Sequence, residues 1–397
     1  MEPGTSRIYR IDLEQRMTND TVSFDHRDRY AFLNTSASFK DKLVGAHRIL
    51  QASAPFVARI AIALFDAETK VLKTYVHSSG DDNPLAHYQS LIENAPSLKE
   101  VLKKGLPRVV NQLVTFDNGE HEHTQRIGRQ GYASSYTLPM FNRGAFIGFL
   151  FFNSYESDVF HEPALDVLDL YGHMISLMVI NELTSVQTLT AAVKTTGHLT
   201  HLRDPETGSH LDRMSRYSRI IAQGLAEKYQ LDDDYIEHVF MFAPLHDIGK
   251  IAVPDHILLK AGKLTSDEYR IMQLHAGTGR DIVDKLLANF GLGSVEHVDI
   301  LRNIAAYHHE AVNGSGYPEG RAGNDIPLEA RIVAVADIFD ALTSKRPYKE
   351  AWTNDAAFAA LQEIAGEKLD SDCVAALLAC RDEVEAIQQQ FKESVYG

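Results

Sequence analysis

From Asp41 the chain places apolar residues at Leu43, Ala46, Ile49 and Leu50, the three-and-four spacing of one helix face. The period then changes. Val57 to Phe65 and Val71 to Val76 read as strands around the polar turn Asp66-Ala67-Glu68-Thr69, so a helix feeds a hairpin. A second hairpin is expected over Ser134 to Phe141 and Ala145 to Asn153, turning at Asn142-Arg143-Gly144, where Asn and Gly tolerate the positive φ of a tight turn. Residues 1 to about 40 are polar and broken by Asn19, Asp20, Asp25 and Asp28, and read as an N-terminal arm. From Glu162 a helix is predicted to about Thr200, with Leu165, Leu168, Ile175, Val179, Val186, Leu189 and Val193 in a seven-residue repeat interrupted at Gly172 and Glu182. For its first half, packing on the preceding sheet and pairing in a parallel dimer stalk stand as equal alternatives. The Thr-rich second half favours a linker.

Beyond the linker the period stays helical. Asp204-Pro205 reads as an N-cap with proline at the first helical position, followed by Leu211, Met214, Tyr217, Ile221 and Leu225 at helical spacing. A length of 397 residues suits two or three domains, and 44% hydrophobic with 23% charged residues is globular rather than disordered. The net charge of −15 disfavours polynucleotide and anionic membrane as partners. Cys373 and Cys380 lie in an apolar helical run and read as buried thiols, so nothing points to an oxidising compartment. The polar start, and apolar runs such as Gly144 to Phe152 at about half the length of a span, lead us to expect a cytoplasmic protein without a membrane span.

The histidines of the second half carry the chemistry. Glu206 and His210 are four apart and share a helix face, a weak signal alone. In Ala243-Pro244-Leu245-His246-Asp247-Ile248-Gly249-Lys250, a His and an Asp sit side by side in an apolar run, where burial is costly unless a cation or hydrogen bonds compensate. His275 follows in a helix-like segment, His308-His309 close an apolar-periodic run, and Asp337 lies in the apolar helix Ile332 to Leu342. Five imidazoles and three carboxylates without cysteine suggest two or three six-coordinate ions, best Fe(II) or Mn(II), sharing bridging carboxylates. Such paired metals are a standard device for phosphoester hydrolysis.

The stretch from about 41 to 185 resembles a GAF domain, in Tyr136-Thr137-Leu138-Pro139-Met140-Phe141, the hairpin after it and the helix entered through Phe160-His161-Glu162-Pro163. That resemblance implies a sensor or dimerising platform with an unknown small-molecule signal. Neither cysteine lies there, which argues against a thioether-linked bilin, and Asp117 to His123 reads as a solvated loop more readily than as a metal or haem site.

The succession His246-Asp247-Ile248-Gly249-Lys250, His308-His309-Glu310, Gly314-Ser315-Gly316-Tyr317-Pro318, Asp337 to Thr343 and Arg346-Pro347-Tyr348 resembles the HD-GYP family of cyclic dinucleotide phosphodiesterases over about 196 to 385. The resemblance implies an all-α domain hydrolysing cyclic di-GMP to pGpG, with GMP as a further product. His246 and Asp247 match its metal dyad, Asp247 as a bridge, and His210, His275, His308, His309 and Asp337 match the other ligands. Glu206 matches a carboxylate on a third metal in a subset of the family. Lys250 matches a lysine near the scissile phosphate, Arg346 and Lys349 match residues that grip phosphate, and Tyr317 matches a substrate contact. The stretch from Leu286 to Asp299 looks longer than usual and bears on pocket access.

The expected organisation is an arm over 1–40, an α+β GAF-like domain over 41–185 whose last helix continues to about 200, and an all-α HD-type bundle over 196–397, dimerised through the 162–200 helix. Hydrolysis of hybrid cyclic GMP-AMP, another HD-type phosphohydrolase or di-iron oxygenase reaction, and a catalytically silent dinucleotide receptor are the alternatives.

Overall fold

The computed structural model describes residues 26–79, 85–112, 126–127, 129–201, 208–290, 297–344 and 350–392, without side chains at 185–187 and 189–201. Outside them lie Glu206, Arg346, Lys349, the 117–123 loop and most of the arm, together with the seam side chains of Val186, Leu189 and Val193.

Helix α1 (Phe39–Leu50) starts where the Ser38 hydroxyl accepts from the Asp41 amide. It leads into β1 (Arg59–Asp66) and β2 (Val71–Ser78), then β3 (Gln89–Leu91), α2 (Pro96–Lys104), β4 (Arg108–Val110), β5 (Ser134–Asn142) and β6 (Ala145–Ser154). The six strands form one antiparallel sheet in the order β3-β2-β1-β6-β5-β4. Alternation along β1 sends Ile60, Ile62 and Leu64 to one face, where they meet Leu43 and Leu50 of α1. The other face carries Leu72 and Phe149 under Leu98 and Val101 of α2. At the β5–β6 turn the left-handed residues are Arg143 and Gly144, so Arg143, and not Asn142 as expected, shares the positive φ with Gly144.

Helix α3 (Glu162–His201) decides between the two readings of its first half. Leu168, Ile175 and Val179 are buried in the sheet's own core with Leu165 packed at its edge, so these seam positions are already occupied within the chain. Tyr30, expected in a loose arm, hydrogen-bonds through its hydroxyl to that of Tyr171 on the same helix, at 2.5 Å. Glu162–Thr184 is also long and apolar enough to cross a membrane by length and composition, contrary to the expectation that no run is. Here its apolar face covers the sheet.

Among the described residues of the second half the regular elements are helices: α4 (Gly208–Tyr229), α5 (Asp233–Phe242), the short α6 (Asp255–Leu258), α7 (Ser266–Phe290), α8 (Val298–Tyr307), α9 (Leu328–Thr343), α10 (Asn354–Ile364), α11 (Ser371–Ala379) and α12 (Arg381–Gln390). Tyr217, Phe242, Leu301, Ile304, Val335 and Phe339 centre its core. Cys373 is buried there and Cys380 half-buried, both as free thiols.

Polar contacts join the halves. Lys73 of β2 donates to Glu237 of α5 at 2.6 Å, with both side chains under 10% exposed. Thr74 donates to Asp233 at 2.6 Å, and Arg216 of α4 to Glu68 at 2.8 Å. Burial, helped by nearby Arg219 and opposed by Glu237, pushes Lys73 down to about 8. A pair so enclosed is costly to break from one side. Lys73→Met is therefore expected to lower unfolding free energy by about 3–5 kcal/mol, with Lys73→Met/Glu237→Met recovering most of it. Denaturant titration of the three proteins checks this, and equal losses in single and double variants would place the stability elsewhere.

Candidate metal centre

A 3₁₀ turn over Ala243–Leu245 ends at His246, and a second over Ile248–Ala252 starts from Asp247, so the dyad sits between two tight turns. Around it α4 brings His210, α7 brings His275, the C-terminal end of α8 brings His308 and His309, and α9 brings Asp337. They fall into two groups, Asp247 with His275, His308 and His309, and His210 with His246 and Asp337, each with one ligand atom per residue within 4.8 Å of the others. The Asp247 carboxylate joins the groups, with one oxygen 3.1 Å from His246 Nε2 and the other 3.1 Å from His275 Nε2 and 3.5 Å from His308 Nε2. Seven of the eight ligands expected from sequence thus converge, and Glu206 lies outside the described residues.

The ring tautomers follow from the backbone. Nδ1 of His246 donates to Ala243 O at 3.1 Å, Nδ1 of His275 to Met272 O at 2.7 Å, and Nδ1 of His308 to Ile304 O at 2.8 Å. A carbonyl only accepts, so each proton is on Nδ1, and a neutral ring then aims an Nε2 lone pair at Asp247. Burial pushes His308 down, and burial with His308 alongside pushes His309 down, so these rings are neutral. Burial opposes ionisation of Asp247, but Lys250, whose Nζ is 2.7 Å from its carboxylate, and then His246 outweigh it and hold the carboxyl well below its usual range. Lone pairs facing a carboxylate repel unless a cation lies between them. The donor set fits divalent metal ions that prefer nitrogen and oxygen.

Several supporting residues were not singled out from the sequence. Asp340, one turn beyond Asp337 on α9, accepts from His210 Nδ1 at 2.7 Å and from Arg213 at 2.6 and 2.9 Å. This fixes the orientation of the His210 ring through Nδ1, and a carboxylate there is the usual outer partner of a metal-binding histidine. The signal was the second aspartate in Asp337-Ile338-Phe339-Asp340. Glu310 accepts from the amides of Glu319, Gly320 and Arg321 at 2.8 to 3.1 Å, which holds the loop that seats Tyr317 against His309, their ring centroids 4.7 Å apart. Gly249 lets the dyad turn rest on α7, since a Cβ there would lie 1.9 Å from His275 O and 2.6 Å from Gly279 N.

A sequence model of the HD domain family matches residues 204–373. The cyclic di-GMP phosphodiesterase response regulator RpfG of Xanthomonas campestris is 47% identical over 189 residues, 48% of this chain and 47% of the relative. The 3'3'-cGAMP-specific phosphodiesterase 2 of Vibrio cholerae is 39% identical over 186 residues, 47% of this chain and 34% of the relative. Among solved structures, the phycocyanobilin-bound GAF domain from a cyanobacterial phytochrome aligns with 38% of this chain and 89% of its own, at 16% identity and a TM-score of 0.31. The chain spans about half the length of the curated relatives it matches. Residues 204–373 thus match the HD domain family, and the order of motifs noted above resembles that of the HD-GYP family. Its first half is the six-stranded antiparallel sheet with flanking helices described above.

Asp340→Asn is expected to weaken metal binding roughly 10–100-fold by releasing the His210 ring. Titration in chelator-buffered metal solutions measures this, and an unchanged affinity would confine Asp340 to anchoring Arg213.

Proposed function

We propose that this chain is a metal-dependent phosphodiesterase that hydrolyses cyclic di-GMP to pGpG, with GMP as a further product, under control of its GAF-like half. The observation that carries the reading is the convergence of three imidazole Nε2 atoms and Lys250 on the one carboxylate of Asp247. Glu206, His210, His246, Asp247, His275, His308, His309 and Asp337 are the proposed ligands of two or three ions, Fe(II) or Mn(II), with Asp247 as the bridge. When bound, such metals supply Lewis acidity that activates water and clamps phosphoryl oxygens. Lys250 orients Asp247 and adds positive charge where the phosphorane develops its own negative charge. Tyr317, beside His309, forms a wall against which substrate rests, and Arg346 and Lys349 are the proposed grip on its phosphates. Hybrid cyclic GMP-AMP is the second reading, favoured by relatives named as specific for 3'3'-cGAMP.

For control, the chain divides near 185–196 with α3 as the link. Its N-terminal part is built into the sheet core, while the same helix runs beside the turns Ala243–Leu245 and Ile248–Ala252 that hold the dyad. The proposed signal is a small molecule in the sheet cavity bounded by Arg59, Tyr88, Leu98, Arg108, Thr137 and Phe151. The proposed setting is the cytoplasm, as a homodimer through α3. Since Val179 is spent on the sheet, the dimer contact falls to Leu170 and Leu177, seven apart and 71% and 66% exposed.

Chain purified anaerobically with Fe(II) or Mn(II) is expected to linearise cyclic di-GMP, and parallel incubation with cyclic GMP-AMP ranks the two substrates by chromatography. Asp247→Ala is expected to lose both metal and turnover, and retained turnover would remove the centre from the reaction. Arg346→Ala is expected to lower kcat/KM about 10–100-fold at unchanged metal content. Leu170→Glu/Leu177→Glu is expected to shift the chain to monomer in sedimentation, and an unshifted dimer would move the contact off this face.

A further inference from the structure

Outside the HD centre a second cluster of metal-binding side chains lies where the two halves meet. Asp234 and His238, four apart on α5, meet His297 at the N-terminus of α8, and one ligand atom of each lies within 4.8 Å of the others. His297 Nε2 is 3.0 Å from one carboxylate oxygen of Asp234, and His238 Nδ1 is 3.3 Å from the other. The two imidazole centroids are 4.6 Å apart.

This cluster is built like the HD centre. His238 is 1% exposed and its Nδ1 donates to Asp234 O, one turn back, at 2.8 Å, as His275 and His308 donate to carbonyls on their own helices. In all three residues the other ring nitrogen, Nε2, is buried without a hydrogen-bond partner. One carboxylate oxygen of Asp234 is buried in the same condition. A buried ring nitrogen left unsatisfied is costly, and native proteins avoid that cost with water or an ion. Donors around a single zinc-sized ion, with bonds of about 2.0–2.2 Å, lie closer together than the spread here, and small side-chain rotations close the difference.

We propose that Asp234, His238 and His297 form a second, non-catalytic site for a divalent transition-metal ion of the zinc class, at the junction of the sheet with the HD domain. Two nitrogens and a carboxylate are the ligands of a borderline cation. His297 is part-exposed at 27%, which gives the ion a route in. Tyr75 of β2 adjoins Asp234, and Glu182 of α3 acts electrostatically on both Tyr75 and His238. The site therefore touches the sheet, the linking helix and the HD domain together, and an ion in it fastens one to the other.

The test compares full-length wild type with His297→Ala after equilibrium dialysis against Zn²⁺ and counts metal per chain by mass spectrometry. The expected result is a loss of about one zinc per chain in His297→Ala, with the HD centre still loaded. The complementary variant, Asp247→Ala/His275→Ala, is expected to keep about one zinc and to lose it when His297→Ala is added. In that background Co²⁺ is expected to give a nitrogen-ligated d–d spectrum that disappears with the added substitution. Equal zinc in wild type and His297→Ala overturns the proposal and leaves the cluster as two histidines hydrogen-bonded to Asp234. If the HD-disabled variant is misfolded by circular dichroism, the wild-type comparison alone decides.

Discussion

The mutual exclusion of lone pairs around Asp247 is the constraint on which the second half depends. Three imidazoles are anchored through Nδ1 to main-chain carbonyls and so present Nε2 to the one carboxylate they face. Lys250 takes one edge of it only. Every supporting element, from the 3₁₀ turns to the buried Asp340–Arg213 pair, holds these groups in a geometry that is unfavourable without a cation. Such organisation is paid for by the surrounding helical core, since a pocket of like-poled groups would otherwise relax.

Much of this centre was legible because metal ligation needs particular residue types, and those types stand out in apolar periodic surroundings. His275 in α7 and Asp337 in α9 were placed on helices from spacing alone, and both are there. Asp340 and Glu310 were harder to see. Their roles are to receive hydrogen bonds from His210 and from three consecutive loop amides, and any carboxylate in a sequence has that capacity. Only the fold reveals which partners arrive.

In the first half β1, β2, β5 and β6 were legible from alternation, while the short β3 and β4 and the use of α3 were not. A seven-residue apolar repeat states that a helix face is covered and is silent about what covers it. Leu168, Ile175 and Val179 are covered by the sheet of the same chain, and Tyr30, from a stretch with no apolar period, is tied to the same helix. The junction was equally hidden. Lys73 lies in a strand that reads as an ordinary hairpin arm, and its partner Glu237 in an ordinary amphipathic helix, so neither announces a buried ion pair 164 positions apart.

The absent side chain of Gly249 has a mechanical meaning. The main chain of the dyad turn already lies against that of α7, with no room for even a methyl group. Two of the ligand-bearing segments are thus wedged together like a keystone and its neighbour, with no slack to be taken up. Any shift of the dyad turn must therefore carry α7 along with it.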